Sequence, residues 1–145
     1  MYLSSLTNRG ATPALVNTLA FNEARLKMIA ENVANSQTPG YQTKHLDASA
    51  FQQALREALK AKGSDPYKSL VVKGGDETST DKNGFLRVTP SHKPVENILF
   101  HDGTNMSIER QMADLAETGM MHELATTLLQ DRFAGLRAVI RGTVG

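Results

Sequence analysis

The sequence contains no cysteine and no tryptophan, and aromatic residues make up only 6% of it. Without thiols the chain cannot form disulfides, use a thiolate nucleophile or bind a metal through cysteine, and its redox compartment stays open. With so few aromatic side chains, alanine, leucine, methionine and valine must fill most of any core. Hydrophobic residues still reach 40% of the 145 residues, which is enough for one folded domain.

The sequence also lacks a long apolar run and an excess of charge of one sign. No stretch approaches the ~18 apolar residues of a membrane-spanning helix, and the start has no basic segment followed by an apolar run. We therefore expect a chain that is made in soluble form and is exported, if at all, without a cleaved signal peptide. The net charge is +1 with bases and acids interleaved, whereas a nucleic-acid-binding protein usually has a basic stripe.

A heptad pattern predicts a first long helix from about Pro13 to Asn35. Thr12 is expected to cap the helix, with proline in the first helical position. The segment Thr38–Tyr41 follows, with proline second and glycine third, which is typical of a type II turn. The residues spaced four and three apart along this helix are Leu15, Leu19, Asn22, Leu26, Ile29 and Val33.

The middle of the chain predicts a short helix followed by a polar insert. Asp47 can cap the helix, Gly63 can end it, and apolar residues recur on one face at Phe51, Leu55 and Leu59. Glycine, proline, serine, threonine, aspartate and lysine dominate residues 63–104. Two apolar groups, residues 70–72 and 85–88, are expected to pair as a hairpin or to extend another sheet, with an exposed loop between them.

A second heptad pattern predicts a long helix over about residues 107–141. Its middle is polar, and Met121, Leu124 and Leu128 form a neighbouring stripe, which indicates that the packed face rotates along the helix. The pattern runs through Ile108, Met112, Leu115, Gly119, His122, Thr126, Leu129, Phe133, Leu136 and Ile140.

These elements predict a mainly α fold. The two terminal helices are the two long partners in the sequence, so we expect them to pair as an antiparallel coiled-coil hairpin, because a heptad stripe is stable only when buried. The predicted divisions are a helical core from residues 1–35 and 105–145, a turn and short helix in 36–62, and the polar insert in 63–104.

Motifs for catalysis, metals and nucleotides are absent from the sequence. The four histidines make no metal-binding spacing, and the pair His122-Glu123 lacks the second histidine of a zinc-protease helix. The segment Asp81–Gly84 resembles part of a calcium loop, but the bidentate glutamate of such a loop is missing. There is no phosphate-binding glycine loop and no nucleophile elbow. We therefore expect no enzyme, no metal, no cofactor and no small-molecule substrate.

The segment Glu31–Tyr41 is the main candidate for a functional motif, because it joins a heptad helix to a tight turn. Helix propensity does not explain Asn32 and Asn35. Their amides could close the helix end by bonding free carbonyls, or they could bond the backbone of a neighbouring subunit. The residues alone leave these two interpretations equally open.

This segment resembles the N-terminal signature of bacterial flagellar rod and hook proteins, which reads close to Ala-x-Asn-Val-Ala-Asn-x-x-Thr-Pro-Gly-Tyr. The matching residues are Asn32, Val33, Ala34, Asn35, Thr38, Pro39, Gly40 and Tyr41. Residues 102–112 and the ending 132–140 resemble the proximal rod members, and the short length fits them too. Thr104, Gly119 and His122 depart from that pattern.

The resemblance implies a structural subunit of the flagellar basal body that assembles helically into the proximal rod and transmits torque. It implies export by the flagellar type III apparatus, a place in the rod across the periplasm, and contacts with itself, with other rod proteins and with the rod-to-ring adaptor. No nucleic acid is expected as a partner. The alternative interpretation is a soluble coiled-coil adaptor or an export chaperone of a secretion system, which would use the same helices in a small oligomer.

Overall fold

The computed structural model describes residues 8–92 and 108–142. Within these residues the chain is mainly helical, as predicted, with helices α1 (Thr12–Ala34), α2 (Ala48–Lys62) and α3 (Ile108–Arg141). No helix of the described part is long and apolar enough to cross a membrane. The predicted family-like stretch at residues 102–106 lies outside the described residues, as does His101.

The ends of the first two helices follow local chemistry. Asp47 caps α2, because its carboxylate accepts a hydrogen bond from the amide of Ala50 at 2.9 Å, and Gly63 ends that helix with a φ of 62°. The predicted cap of α1 is one residue off. Ala11 is the N-cap and makes no side-chain bond, whereas Thr12 is already helical and buried.

A three-stranded antiparallel sheet follows α2, in the order β1 (Lys73–Gly74), β2 (Thr78–Thr80) and β3 (Leu86–Val88). The expected hairpin between residues 70–72 and 85–88 is therefore wrong, because β2 lies between the two segments. The presumed exposed loop supplies this middle strand, in which Thr78 is buried. Threonine is β-branched and suits a half-buried strand, a signal that the polar composition around it obscured.

The apolar core lies between α1 on one side and α2 with the sheet on the other. Phe21 of α1 stacks on Phe51 of α2, with ring centroids 4.1 Å apart and planes 2° from parallel. The buried cluster consists of Phe21, Met28, Ile29, Leu46, Phe51, Ala54, Ala58, Leu70 and Val72.

The first and last helices pack together, as predicted, and they run antiparallel. Gly10, Arg25 and Asn32 lie progressively farther along α1 and its lead-in. A Cβ at Gly10 would lie 2.6 Å from the Arg132 guanidinium, and Arg25 lies 3.7 Å from Asp114. Asn32 lines one small cavity together with Ile108. As the residue number rises along α1 it falls along α3, which is the antiparallel arrangement.

The face that α3 buries differs from the predicted one by about one residue. Its buried residues are Gln111, Thr118 and Ala125, whereas Ile108 and Met112 are about half exposed. The buried face is thus rotated slightly about the helix axis from the predicted one. Four residues of the predicted stripe are still half-buried: Leu115, His122, Leu129 and Leu136. Phe133 and Ile140 are exposed. Both residues follow Arg132, which is the residue of α3 nearest to Gly10. Gly10 itself precedes the start of α1.

The first helix buries more than its predicted stripe, because it lies between two layers. Asn22 and Ile29 of the stripe are buried, as are Phe21, Met28 and Asn32 outside it. The remaining members of the stripe are half-buried: Leu15, Leu19, Leu26 and Val33.

Candidate functional site at the end of the first helix

Asn32 fastens the end of α1 to the chain that returns from the turn. Its amide nitrogen donates to the carbonyl of Lys44 at 2.8 Å, and its carbonyl oxygen accepts from the Lys44 amide at 2.9 Å. The Tyr41 hydroxyl donates to the same oxygen at 3.0 Å. Asn32 is only 3% exposed, so these three bonds replace its contacts with water. The Asn32 side chain thus bonds both the amide and the carbonyl of residue 44, as the backbone of a neighbouring β-strand would.

Asn35 closes the end of the helix within its own chain. Its side-chain amide and its backbone amide both donate to the carbonyl of Glu31, at 2.8 and 3.1 Å. The Thr38 hydroxyl donates to the Asn35 side-chain oxygen at 3.4 Å. Of the two interpretations left open by the sequence, Asn35 has the end-closing geometry, whereas Asn32 bonds backbone beyond the helix.

The turn at residues 38–41 has the predicted type II form. The Tyr41 amide donates to the Thr38 carbonyl at 3.2 Å, and Gly40 has a φ of 77°. A positive φ at the third position, after a proline at the second, is the mark of a type II turn. Residues 36–40 are exposed, while Tyr41 is half-buried under its bond to Asn32.

An ion pair braces the same loop from outside. The Lys44 ammonium lies 2.7 Å from the Glu31 carboxylate, and both side chains are about one-third exposed. The hydrogen bond and positive charge of Lys44 hold the pKa of Glu31 below its ordinary value. The same hydrogen bond and the negative charge of Glu31 raise the pKa of Lys44.

The start of α3 lies beside this loop. Asn32, Tyr41, Ile108 and Gln111 line a cavity of about 30 Å³, which has room for a water molecule and not for a cofactor. Among residues 8–92 and 108–142, no three histidine, aspartate or glutamate side chains gather as metal ligands. The arrangement is one of backbone and side-chain hydrogen bonds that fix the path of the chain. The remaining signature residues are Val33, half-buried against the core, and Ala34, exposed at the helix end.

Sequence reasoning missed Lys44, which supplies both backbone partners of Asn32 and the ion pair with Glu31. It also missed Glu77, whose carboxylate accepts bonds from the Asp47 amide and the Ser91 hydroxyl. Neither residue has a local signal, because their partners lie 12 to 30 residues away in the chain. Glu77 thereby ties the insert to the start of α2.

Known proteins are similar in sequence to this chain, both in the loop and over most of its length. A family model described as flagella basal body rod protein matches residues 14–42, which include every signature residue. The flagellar basal body rod protein FlgB of Salmonella typhimurium is 25% identical over an alignment covering 81% of this chain and 83% of its own. The chain is thus similar to flagellar rod proteins both in this loop and along most of its length. No solved structure matches it significantly.

Other rod proteins extend this similarity to distant bacteria. FlgB of Borrelia hermsii is 27% identical, with 81% of this chain and 85% of its own length covered. FlgB of Bacillus subtilis is 23% identical, with 92% of this chain and 95% of its own length covered. The similarity to rod proteins therefore reaches well beyond the signature loop.

Proposed function

We propose that this chain is a structural subunit of the proximal rod of the flagellar basal body. The observation that supports this most directly is the loop at the end of α1, where the residues of the rod signature are joined by hydrogen bonds. The family match covers the same residues. Such a loop has no reacting group and no ligand-sized cavity, but it sets the direction in which the chain leaves a long helix.

The fixed exit suits a subunit that repeats in a helical array. Identical subunits meet in identical geometry only if each chain leaves its helix along the same path. Residues Asn32 and Tyr41 would hold that path, while the two long helices pair as a coiled coil in the wall of the tube. The half-buried stripe residues Leu115, Leu129 and Leu136 would complete their contacts there, as would Phe133 and Ile140.

The insert of residues 63–104 would make lateral contacts that carry torque along the shaft. We propose as partners further copies of this chain, other rod proteins, the rod-to-ring adaptor and, before assembly, the flagellar type III export apparatus. The subunit would act in the rod across the periplasm after export without a cleaved signal peptide. It would work without catalysis. Of the divisions predicted from the sequence, residues 1–35 and 105–145 would form the wall of the tube, residues 36–62 the exit turn and short helix, and residues 63–104 the lateral insert.

The first test is deletion of the gene in its source bacterium, followed by electron microscopy of purified basal bodies. We expect membrane rings without rod, hook or filament, and restoration by the wild-type gene on a plasmid. Intact rotating flagella in the deletion strain would overturn the proposed function and favour the adaptor interpretation.

A second test asks whether the exit turn itself matters, through the variant Gly40→Val. Gly40 has a φ of 77°, which a β-branched residue strongly resists, although no atom would obstruct a Cβ there. We expect a soluble protein that fails to enter the rod and leaves the deletion strain non-motile. Gln37→Val is the matched control, because residue 37 is exposed in the same loop and carries no positive φ. Normal swimming by the Gly40→Val strain would show that the turn does not matter for assembly.

A further inference from the structure

The chain segment that follows the turn at residues 38–41 pairs with the segment that leaves the sheet. The His45 amide donates to the Ser91 carbonyl at 2.8 Å, and the Ser91 amide donates to the His45 carbonyl at 2.9 Å. This reciprocal pair is an antiparallel bridge outside the three strands. We call residues 44–47 and 89–91 the neck, because the chain enters α2 and the sheet through the first segment and leaves through the second. A bridge of one residue pair is marginal by itself, so the neck needs support from other groups.

The entering segment of the neck is fastened to α1 and to the core. Asn32 bonds the carbonyl and the amide of Lys44 at 2.8 and 2.9 Å. Leu46 is 2% exposed and belongs to the apolar cluster. Successive residues of this segment therefore bind different partners, since Lys44 bonds α1, His45 bonds the leaving segment and Leu46 enters the core.

Glu77 bonds both segments of the neck. One oxygen of its carboxylate accepts from the Asp47 amide at 2.9 Å, and the other accepts from the Ser91 hydroxyl at 2.5 Å. Its backbone carbonyl accepts from the Thr89 amide at 2.8 Å. One residue just before β2 thus holds the entering segment at residue 47 and the leaving segment at residues 89 and 91.

The two edges of the sheet are held by different contacts. β1 lies against α2 and β3 lies against α1. Leu70 and Val72, which lead into β1, are at most 5% exposed in the apolar cluster. Leu86 and Val88 of β3 are only half-buried against that cluster. Because burial of apolar area is the main stabilising term, the β1 edge is held by packing, whereas the β3 edge depends more on the hydrogen bonds of the neck.

We propose that Glu77 is a positioning residue, whose carboxylate closes the neck and thereby fixes the orientation of the β3 edge of the sheet relative to α1. Its role is geometric, because Glu77 forms no ion pair with the described residues and uses its two oxygens as hydrogen-bond acceptors. The proposal rests on contacts within one chain, and it stands whether or not the chain is a rod subunit.

Distances between pairs of nitroxide labels, measured by pulsed electron paramagnetic resonance, test this role in the full-length protein. The chain has no cysteine, so introduced cysteines are labelled specifically. One pair joins Glu23→Cys on α1 to Arg87→Cys at the β3 edge, and the other joins Glu23→Cys to Lys73→Cys at the β1 edge; all three positions are exposed. In Glu77→Ala we expect the distance distribution of the 23–87 pair to become about twice as broad and that of the 23–73 pair to stay as in wild type.

A conservative variant separates geometry from charge. Glu77→Gln keeps an oxygen that can accept from the Asp47 amide, and its NH₂ group can donate to the Ser91 hydroxyl. We therefore expect Glu77→Gln to restore the wild-type width for the 23–87 pair. Glu57→Ala is the matched control, because this exposed acid of α2 accepts only a bond from the Gln53 side chain. It should leave both distance distributions unchanged.

Ser91→Ala provides a milder variant, since it removes one of the two bonds to the Glu77 carboxylate. We expect a smaller broadening in the same label pair, with the helical content measured by circular dichroism unchanged. Wild-type widths in both Glu77→Ala and Ser91→Ala would overturn the proposal. Equal broadening of both label pairs would also overturn it, because the sheet would then loosen as a whole. A broad 23–87 distribution in Glu77→Gln would show that the charge matters and not the geometry, which likewise contradicts the proposal.

Discussion

The two sides of α1 meet their neighbours through different chemistry. Toward α2 and the sheet, Phe21, Met28 and Ile29 enter a closely packed apolar cluster. Toward α3, Arg25 forms an ion pair with Asp114, and Asn22, one turn earlier, is buried with an amide nitrogen that has no partner among the described residues. A single helix can thus bury a closely packed apolar face on one side and a partly polar face on the other. The two sides therefore differ in how far apolar burial, as opposed to polar contacts, accounts for the packing.

The largest expected effect on stability comes from removing one phenyl ring on the apolar side of α1. Phe21→Ala deletes a side chain that is 2% exposed and stacked on Phe51, and we expect a loss of about 3–5 kcal/mol in the free energy of unfolding. Leu124→Ala, on the exposed stripe of α3, is the matched control and should cost under about 1 kcal/mol. Urea denaturation followed by circular dichroism measures both. A loss from Phe21→Ala no larger than that from Leu124→Ala would mean that the buried ring contributes no more to stability than an exposed side chain.

Replacement of an asparagine of α1 by leucine should change the free energy of unfolding differently at position 32 and at position 22. Asn32→Leu removes three hydrogen bonds and leaves the Lys44 amide and carbonyl without their partner, so we expect a loss of about 2–3 kcal/mol. Asn22→Leu removes an unpartnered buried amide nitrogen, and we expect no loss or a gain of about 1 kcal/mol. The two midpoints of urea denaturation give the comparison. Destabilisation by Asn22→Leu as large as that by Asn32→Leu would mean that Asn22 finds partners we have not assigned.

Glycine-to-alanine substitutions in the sheet and in α3 should show how closely each of these elements is packed. A Cβ at Gly74 in the sheet would lie 1.9 Å from the Thr78 hydroxyl, so Gly74→Ala should cost about 1–2 kcal/mol. A Cβ at Gly119 of α3 would meet no atom within 4 Å, so Gly119→Ala should raise stability by about 0.5–1 kcal/mol through helix propensity. Thermal denaturation of the two variants checks this. Destabilisation by Gly119→Ala would show that α3 packs closely against α1.

The helices were predictable because their signals are local. Asp47, Gly63 and the type II turn each act within three or four residues, and the heptad spacing requires only a count along the chain. The side on which α3 packs was not predictable to one residue. Apolar residues surround much of this helix, and Gln111 and Thr118 are buried where periodicity favours Met112 and Gly119.

The candidate site divided in the same way between local and distant contacts. The signature residues could be identified from the sequence, and so could the end-closing geometry as one option for Asn35. The partner of Asn32 could not, because Lys44 is brought back by the turn from 12 residues away. The strand β2 was missed for a related reason, since its polar residues are buried only by pairing with β1 and β3.

The smallest expected effect concerns the ion pair that braces the loop at the end of α1. Because Lys44 lowers the pKa of Glu31 from its ordinary value of 4.5, the folded state binds that proton less readily than the unfolded state. The pair therefore stabilises the fold above pH 4.5, and this contribution is lost as the pH falls through the lower folded value. The raised pKa of Lys44 places the opposite loss above its ordinary value of 10.5. We expect Glu31→Gln to lower the melting temperature slightly at pH 7, and we expect this difference to shrink as the pH falls below 4.5 and in 1 M salt, since the pair is exposed to solvent. Glu23→Gln, at an exposed position of the same helix, is the control for a general effect of charge. A Glu31→Gln difference that stays constant from pH 7 to pH 3 would assign the effect to packing of the loop and not to the ion pair.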